Sequence, residues 1–380
     1  MCHTYLSHFK INTGIVEFVF PLALLTTLSF LRLRAMKFGI FDHVDHSGRA
    51  LAEQFAQRVE YVAAADKLGF YCYHVAEHHA TPLNMVPVPG VFLGAVAQAT
   101  KNIRLGPLTY LLPLYSPLRL IEEIGLFDHL SNGRMEVGVG RGVSPFELNY
   151  HNYDPDTARE VYEEALEVIL EGMTSDSLSY EGKHFTYRDV PMELRPLQQP
   201  YPPLWYPSSN TAGSAYAGTK GFHYCTLGGV KEATDNIGAF KDAFSGTSCA
   251  IGAAHPFEGG VAIGIRRQVT VAETDEKALK IAGPAYQVWH NSLTKLWREN
   301  QVEGPVFART AVDTVEKAMA GGAHIAGSPQ TVRELLGEQI EALGVNYMVI
   351  AFNIGSMPHE DSVRSLTMFA NEVMPALETL

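Results

Sequence analysis

The chain has 380 residues, 46 % of them hydrophobic, and a formal charge of -12. Such a length suits one large α/β barrel, a class that runs from about 200 to over 400 residues as a single unit. The acidic balance excludes the basic stripe of a general nucleic-acid binder, and none of Cys2, Cys72, Cys225 and Cys249 forms a CxxC pair or zinc-finger spacing, so the reading is a cytoplasmic protein with reduced thiols.

Residues 1–35 read as an N-terminal extension that is not part of the fold. Their apolar run, Phe18 to Leu31, is interrupted by Pro21 and is shorter than the about 20 residues of a membrane span. Lys10 is the only Lys or Arg before the run, and Arg32 and Arg34 follow it, which is the reverse of a signal peptide. A membrane anchor is the alternative reading. From Met36 onward the pattern predicts a single domain, 36–380, opening on a strand at about 37–41.

A helix follows at about 50–68, with Leu51, Phe55, Val59, Val62 and Ala63 on its apolar face and Gly69 as its stop. Strand two is expected at about 71–76, a helix near 90–100 and strand three at about 103–109. Pro117 sits in the first turn of a helix at about 117–130, where proline is tolerated. Ser131-Asn132-Gly133 reads as a turn into strand four, about 134–139. Asp156 is expected to cap a long helix at about 157–173, followed by a hairpin-like stretch through Gly182.

Strand five is placed at about 203–207, a helix at 211–220, strand six at 222–226 and a helix at 230–245. The Gly-, Ser- and Ala-rich segment 246–260 reads as a loop. Strand seven is expected at about 261–271, a helix at 274–299, and a lid within 300–327. Helices at about 329–343 and 360–376 flank strand eight, about 346–351. Eight strands alternating with helices favour an α/β fold, its parallel sheet closed into a (β/α)8 TIM barrel or left open and doubly wound; no GxGxxG turn follows strand one, which weakens the dinucleotide-binding open sheet.

Barrel chemistry sits at the C-terminal strand ends. That rule selects Asp42-His43, Glu77-His78-His79, Gly140-Arg141-Gly142 and Ser208-Ser209-Asn210. Five of the fifteen histidines lie between His43 and His79, a group that could bind a metal, move a proton or donate to an anion. The bland reading is that several are satisfied or surface histidines. Arg141, between two glycines, can grip a phosphate through paired hydrogen bonds. Ser208, Ser209 and Asn210 open a helix, whose free amides attract anions, although plain capping by Asn210 would need no ligand.

In combination these motifs resemble the bacterial luciferase-like flavin-dependent monooxygenase family. The resemblance runs from about Met36 to Leu377. It rests on Met36-Lys37-Phe38-Gly39, Glu77-His78-His79, Ser131-Asn132-Gly133-Arg134 leading to Gly138-Val139-Gly140-Arg141-Gly142, and Ser208-Ser209-Asn210. Gly327-Ser328-Pro329, Pro358-His359-Glu360 and Val373-Met374-Pro375 complete it.

The resemblance implies a luciferase-like barrel, often a homodimer, that binds reduced flavin mononucleotide (FMN) supplied by a separate flavin reductase. One oxygen atom of O2 would enter a small organic substrate and the other would leave as water. It implies that Arg141 holds the flavin phosphate, with Val143, Ser208, Ser209 and Asn210 in the same pocket. Leu108-Thr109 takes the place where the family often has a non-proline cis peptide under the flavin ring. His78 matches the catalytic histidine and His79 would support it. Where luciferases proper carry a reactive cysteine before the arginine, this chain has Gly140, which argues against light emission but not against flavin. The alternatives are an F420-dependent dehydrogenase on the same fold, a metal-dependent barrel hydrolase using the histidines, and a non-catalytic flavin-binding barrel.

Overall fold

A computed structural model describes residues 36–244, 257, 260–303 and 312–380. The N-terminal extension, nearly all of the 246–260 loop and part of the expected lid lie outside the described residues.

Twelve strands and twelve α-helices are described. Most of the barrel strands are short and apolar, and stand in the expected order. They are β1 (Lys37–Asp42), β2 (Cys72–Val75), β3 (Arg104–Pro107), β4 (Tyr110–Leu111) and β5 (Val137–Gly140). An antiparallel hairpin, β6 (Ser177–Glu181) with β7 (Thr186–Pro191), stands apart from the barrel sheet, and β8 (Leu204–Pro207), β9 (His223–Thr226), β10 (Ile263–Val271), β11 (His324–Gly327) and β12 (Tyr347–Ala351) complete the set.

The main sheet runs β3-β2-β1-β12-β10-β9-β8-β5-β4, all parallel. A bridge from Leu105 to Met135 brings β3 back to the run into β5, so the barrel is nearly closed. Strand three is split in two by the Leu108–Thr109 peptide, which is cis. A ninth barrel strand, β11, was not anticipated: it pairs with the second half of the long β10, Gln268↔His324 to Val271↔Gly327.

The helices are α1 (Leu51–Lys67), α2 (Pro89–Ala99), α3 (Pro117–Leu130), α4 (Pro145–Tyr150), α5 (Ala158–Thr174) and α6 (Thr211–Lys220). Then come α7 (Val230–Ala243), α8 (Asp275–Glu299), α9 (Val315–Ala320), α10 (Pro329–Leu343), α11 (His359–Met368) and α12 (Met374–Leu377). The last helix runs unbroken from His359 to Leu377, as expected, with a π turn at Phe369–Val373 between α11 and α12. Three expectations need correction. The described part of the expected lid, from 312, contains α9 and β11, packed on the barrel. Asp156 does not cap α5; Thr157 stands at the N-cap and makes no side-chain capping bond.

The buried face of α1 is also rotated from the apolar stripe. Gln54, Arg58, Tyr61, Val62 and Ala65 are buried, while Leu51 is exposed. The reason is polar pairing: Arg58 meets Asp42 at 3.3 Å, and Gln54 donates to the Asp45 carbonyl at 2.7 Å. Buried polar groups are tolerated only with such partners.

The barrel interior below the strand ends is filled by Trp205, Tyr347, Tyr71 and His74 around Glu136. Glu136 accepts from the Trp205 indole and pairs with Arg104. His74 shares a 2.9 Å hydrogen bond with the Tyr347 hydroxyl. Gly39 makes room for that hydroxyl, since a Cβ there would lie 1.8 Å from it. Cys72 and Cys225 are free and buried. Among the described residues no helix is long and apolar enough to cross a membrane.

Asp66 near the end of α1 fastens the loop into β3, accepting from the amides of Lys101, Asn102 and Ile103 at 2.7, 2.8 and 2.7 Å. Burial raises its pKa, but these amide bonds outweigh that and leave it below the ordinary value. Asp66→Ala is expected to cost about 2 kcal/mol at neutral pH, partial exposure keeping the loss modest. A depressed carboxylate stabilises the fold above its unfolded pKa and loses that contribution as pH falls through the folded one. The deficit of the variant in urea melts should therefore be present at pH 7 and shrink in acid.

Candidate active site

The strand ends surround a cavity of about 350 Å³. Its floor is made by Ala76 after β2, the Leu108–Thr109 peptide, Gly140 of β5 and Cys225 of β9. The bare glycine is required: a Cβ at Gly140 would come within 2.4 Å of the Thr109 hydroxyl. Any side chain at this position would therefore displace Thr109.

One end is cationic and amide-rich. Arg141 follows β5, and Arg159 reaches in from α5. Burial raises the pKa of Tyr206, and the charges of Arg159 and Arg141 draw it back, which places both guanidinium groups near that phenol. Arg159 is held by Glu163 at 3.0 Å, whereas Arg141 is exposed and has no ion pair or hydrogen bond among the described residues. Ser208, Ser209, Asn210 and Gly213 line the same end at the start of α6. Asn210 does cap α6, its Oδ1 accepting from the Gly213 amide at 2.9 Å. Capping and lining are thus compatible at this residue. Val143 is an exposed lining residue beside Arg141.

His78 forms part of the wall. Its Nδ1 lies 3.2 and 3.4 Å from the two carboxylate oxygens of Glu147 on α4. Burial works against the His78 cation, but Glu147, aided by Glu77 and Asp45, prevails and raises its pKa above the ordinary value. Glu147 came to light only in the structure. Its sequence signal is the capping pattern Ser144-Pro145-Phe146-Glu147. Ser144 does accept from the Glu147 amide, at 3.3 Å, while the carboxylate turns to His78.

His79 does not line the cavity. It pairs with Glu77 at 2.8 Å and stacks edge-on with His151 at 4.5 Å. Glu77 lines the cavity and is fully engaged: its other oxygen accepts from the Leu111 amide at 3.1 Å and the Tyr115 hydroxyl at 3.0 Å. Glu77 thereby ties the end of β2 to β4, just beyond the cis peptide. Among the described residues no group of three or more His, Cys, Asp or Glu could hold a metal ion.

The wall also carries Phe41, His43, Arg266, Trp289 and Leu293. The Arg266 guanidinium lies 5.1 Å from the Phe41 ring and 5.5 Å from the Trp289 ring. Burial, with the charges of Arg266 and His78, holds His43 neutral by lowering its pKa well below the ordinary value. Arg266 was missed because it lies inside β10 and not at its end. Two adjacent arginines within the apolar run of Ile263–Val271 were the available signal.

Residues 36–347 match the model of the luciferase-like monooxygenases, and the chain belongs to that family of oxidoreductases. It is 37 % identical to protein y4wF of Sinorhizobium fredii, over 89 % of this chain and 96 % of that one. It is 25 % identical to the oxygenase component of the flavin-dependent trigonelline monooxygenase of Acinetobacter baylyi, over 90 % and 95 %. Its fold matches the oxygenating constituent of 3,6-diketocamphane monooxygenase from Pseudomonas putida, solved in complex with FMN. That match has a TM-score of 0.72 at 22 % identity and covers 90 % of this chain and 98 % of that one.

Proposed function

We propose that this chain is the oxygenase component of a two-component monooxygenase, using reduced FMN from a separate reductase and O2 to oxidise a small organic substrate. The observation that carries the proposal is one cavity with a phosphate-type end and a histidine–carboxylate pair in its wall. Its volume is within the few hundred Å³ typical of small-molecule sites.

The residues fit the cofactor. Arg141 and Arg159 with Ser208, Ser209, Asn210 and the first amides of α6 would hold the phosphate, an anion suited to a helix N-terminus. Leu108, Thr109 and Gly140 offer a flat, uncharged floor for the ring. The bound flavin supplies the electrons and the oxygen chemistry; the protein supplies position, water exclusion and electrostatics. Glu147 occupies Nδ1 of His78 and leaves Nε2 to give or take a proton in the cavity. His79 and Glu77 act behind that group, fixing the β2 end against β4.

Fluorescence titrations with reduced FMN, reduced riboflavin and reduced F420 test the reading. FMN is expected to bind at least tenfold tighter than riboflavin, the difference being the phosphate. Equal affinities would remove the role of the cationic end. Preference for F420 would turn the assignment to a dehydrogenase, and binding of neither cofactor would sink it.

A further inference from the structure

We propose that Arg266 is the recognition site for an anionic group, a carboxylate on an apolar substrate, which the Phe41 and Trp289 rings flank. The proposal rests on the monooxygenase reading above and names the substrate class for that site.

Arg266 and Arg267 are neighbours on β10, so their side chains leave opposite faces of the strand. Arg267 is used by the fold: it donates to Gln339 at 2.6 Å and to the Gly228 and Arg266 carbonyls, both at 2.9 Å. Arg266 instead lines the cavity, and its Nε and Nη2, though shielded from solvent, have no hydrogen-bond partner among the described residues. The Trp289 indole nitrogen on the same wall also lacks one. Buried donors left unmet are costly and rare, and a charged one is the costliest.

Among the residues lining this wall, the side-chain atoms left without a hydrogen-bond partner are donors; the buried Asp45 carboxylate acts on Arg266 through its charge but does not line the cavity. The carboxylates that line the cavity are committed elsewhere, Glu77 to Leu111, Tyr115 and His79 and Glu147 to His78. His43 is held neutral, so it adds no positive charge beside Arg266. Burial pulls the pKa of Arg266 down to about 10, with Asp45 acting to raise it, which leaves the group charged at neutral pH. A guanidinium presents parallel N–H groups to a carboxylate, and Phe41, Trp289 and Leu293 give the same wall apolar surface for a hydrocarbon body. A neutral substrate would leave these donors unmet, and a site built on such donors rejects it strongly.

The test uses the full chain with reduced FMN bound, without oxygen, and reads Trp fluorescence. The probes are naphthalene-2-carboxylate, its methyl ester and its carboxamide. The acid is expected to bind at least tenfold tighter than the ester or the amide. Arg266→Gln should abolish that preference while leaving reduced-FMN affinity within twofold, and Arg266→Lys should keep part of it. Equal binding of acid and ester, or no binding of the acid, overturns the proposal without needing any variant to fold. A large loss of FMN affinity in Arg266→Gln also overturns it, since the arginine would then serve the cofactor. The same acid–ester comparison on flavin-free protein, with Arg266→Gln beside wild type, separates the two readings: failure of FMN to bind sinks the monooxygenase proposal, while an acid preference that Arg266→Gln removes still marks the anion site.

Discussion

Arg141→Ala is expected to weaken reduced-FMN binding about a hundredfold, equivalent to about 3 kcal/mol. Two effects compete in setting that size. A charge-assisted, paired contact to a phosphate contributes about 1.5–3 kcal/mol for each hydrogen bond. Arg141 is exposed, however, and solvent and salt screen an exposed charge. The paired contact is expected to prevail, because Arg141 has no ion pair or hydrogen bond among the described residues that would compete for its guanidinium. Riboflavin affinity should be nearly unchanged in the variant, and raising the salt should narrow the gap between wild type and variant. Equal FMN affinity in the two proteins would remove Arg141 from the cofactor site. Arg141→Lys should recover only part of the loss, since an ammonium cannot make the planar paired contact.

The second large effect is expected at His78. His78→Ala should lower turnover by about 10²–10⁴-fold, the usual worth of a positioned acid or base, with little change in flavin binding. Glu147→Gln separates positioning from proton transfer. Burial lowers the pKa of His78 and Glu147 does most to raise it, so removing the carboxylate charge must move that pKa down. If the protonated form is required, activity in wild type persists up to a pH above the ordinary histidine value. The alkaline limb should then shift to lower pH in Glu147→Gln. If the neutral form is required, the acid limb shifts the same way and the variant gains activity at low pH. A pH–rate profile that does not move would show that the pair is structural. Unchanged turnover in His78→Ala would remove the proton role altogether.

These two sites show how unevenly a site can be read from sequence. Arg141 and Ser208-Ser209-Asn210 stand where strands end, and a strand end is visible as the point where an apolar run meets Gly, Ser or Pro. At Leu108-Thr109 only the family resemblance pointed to a cis peptide, which the structure has. The structure shows the split between β3 and β4 and the near contact of Gly140 with Thr109. Glu147 was hidden because α4 has only six residues, too short to show a helical period. Arg266 was hidden because the middle of a strand is normally core. The α1 stripe misled for a related reason: hydrophobic periodicity finds an apolar face, yet Arg58 and Gln54 turned inward to meet Asp42 and Asp45.

By itself the sequence determined the α/β class, the chain order of its eight main strands and the strand ends that carry the motifs. The reason is that alternation of short β-branched runs with helical periods is a local property, and so is the chemistry of a turn. Tertiary structure alone decided the partners. His78 meets a carboxylate 69 residues away, and Glu77 clamps β2 to β4. Arg266 lies against an aromatic ring from β1 and another from α8. Such contacts depend on strand register and on the rotation of each helix about its axis. A period of 2 or 3.6 tells which face a side chain takes, but not which residue it will meet there.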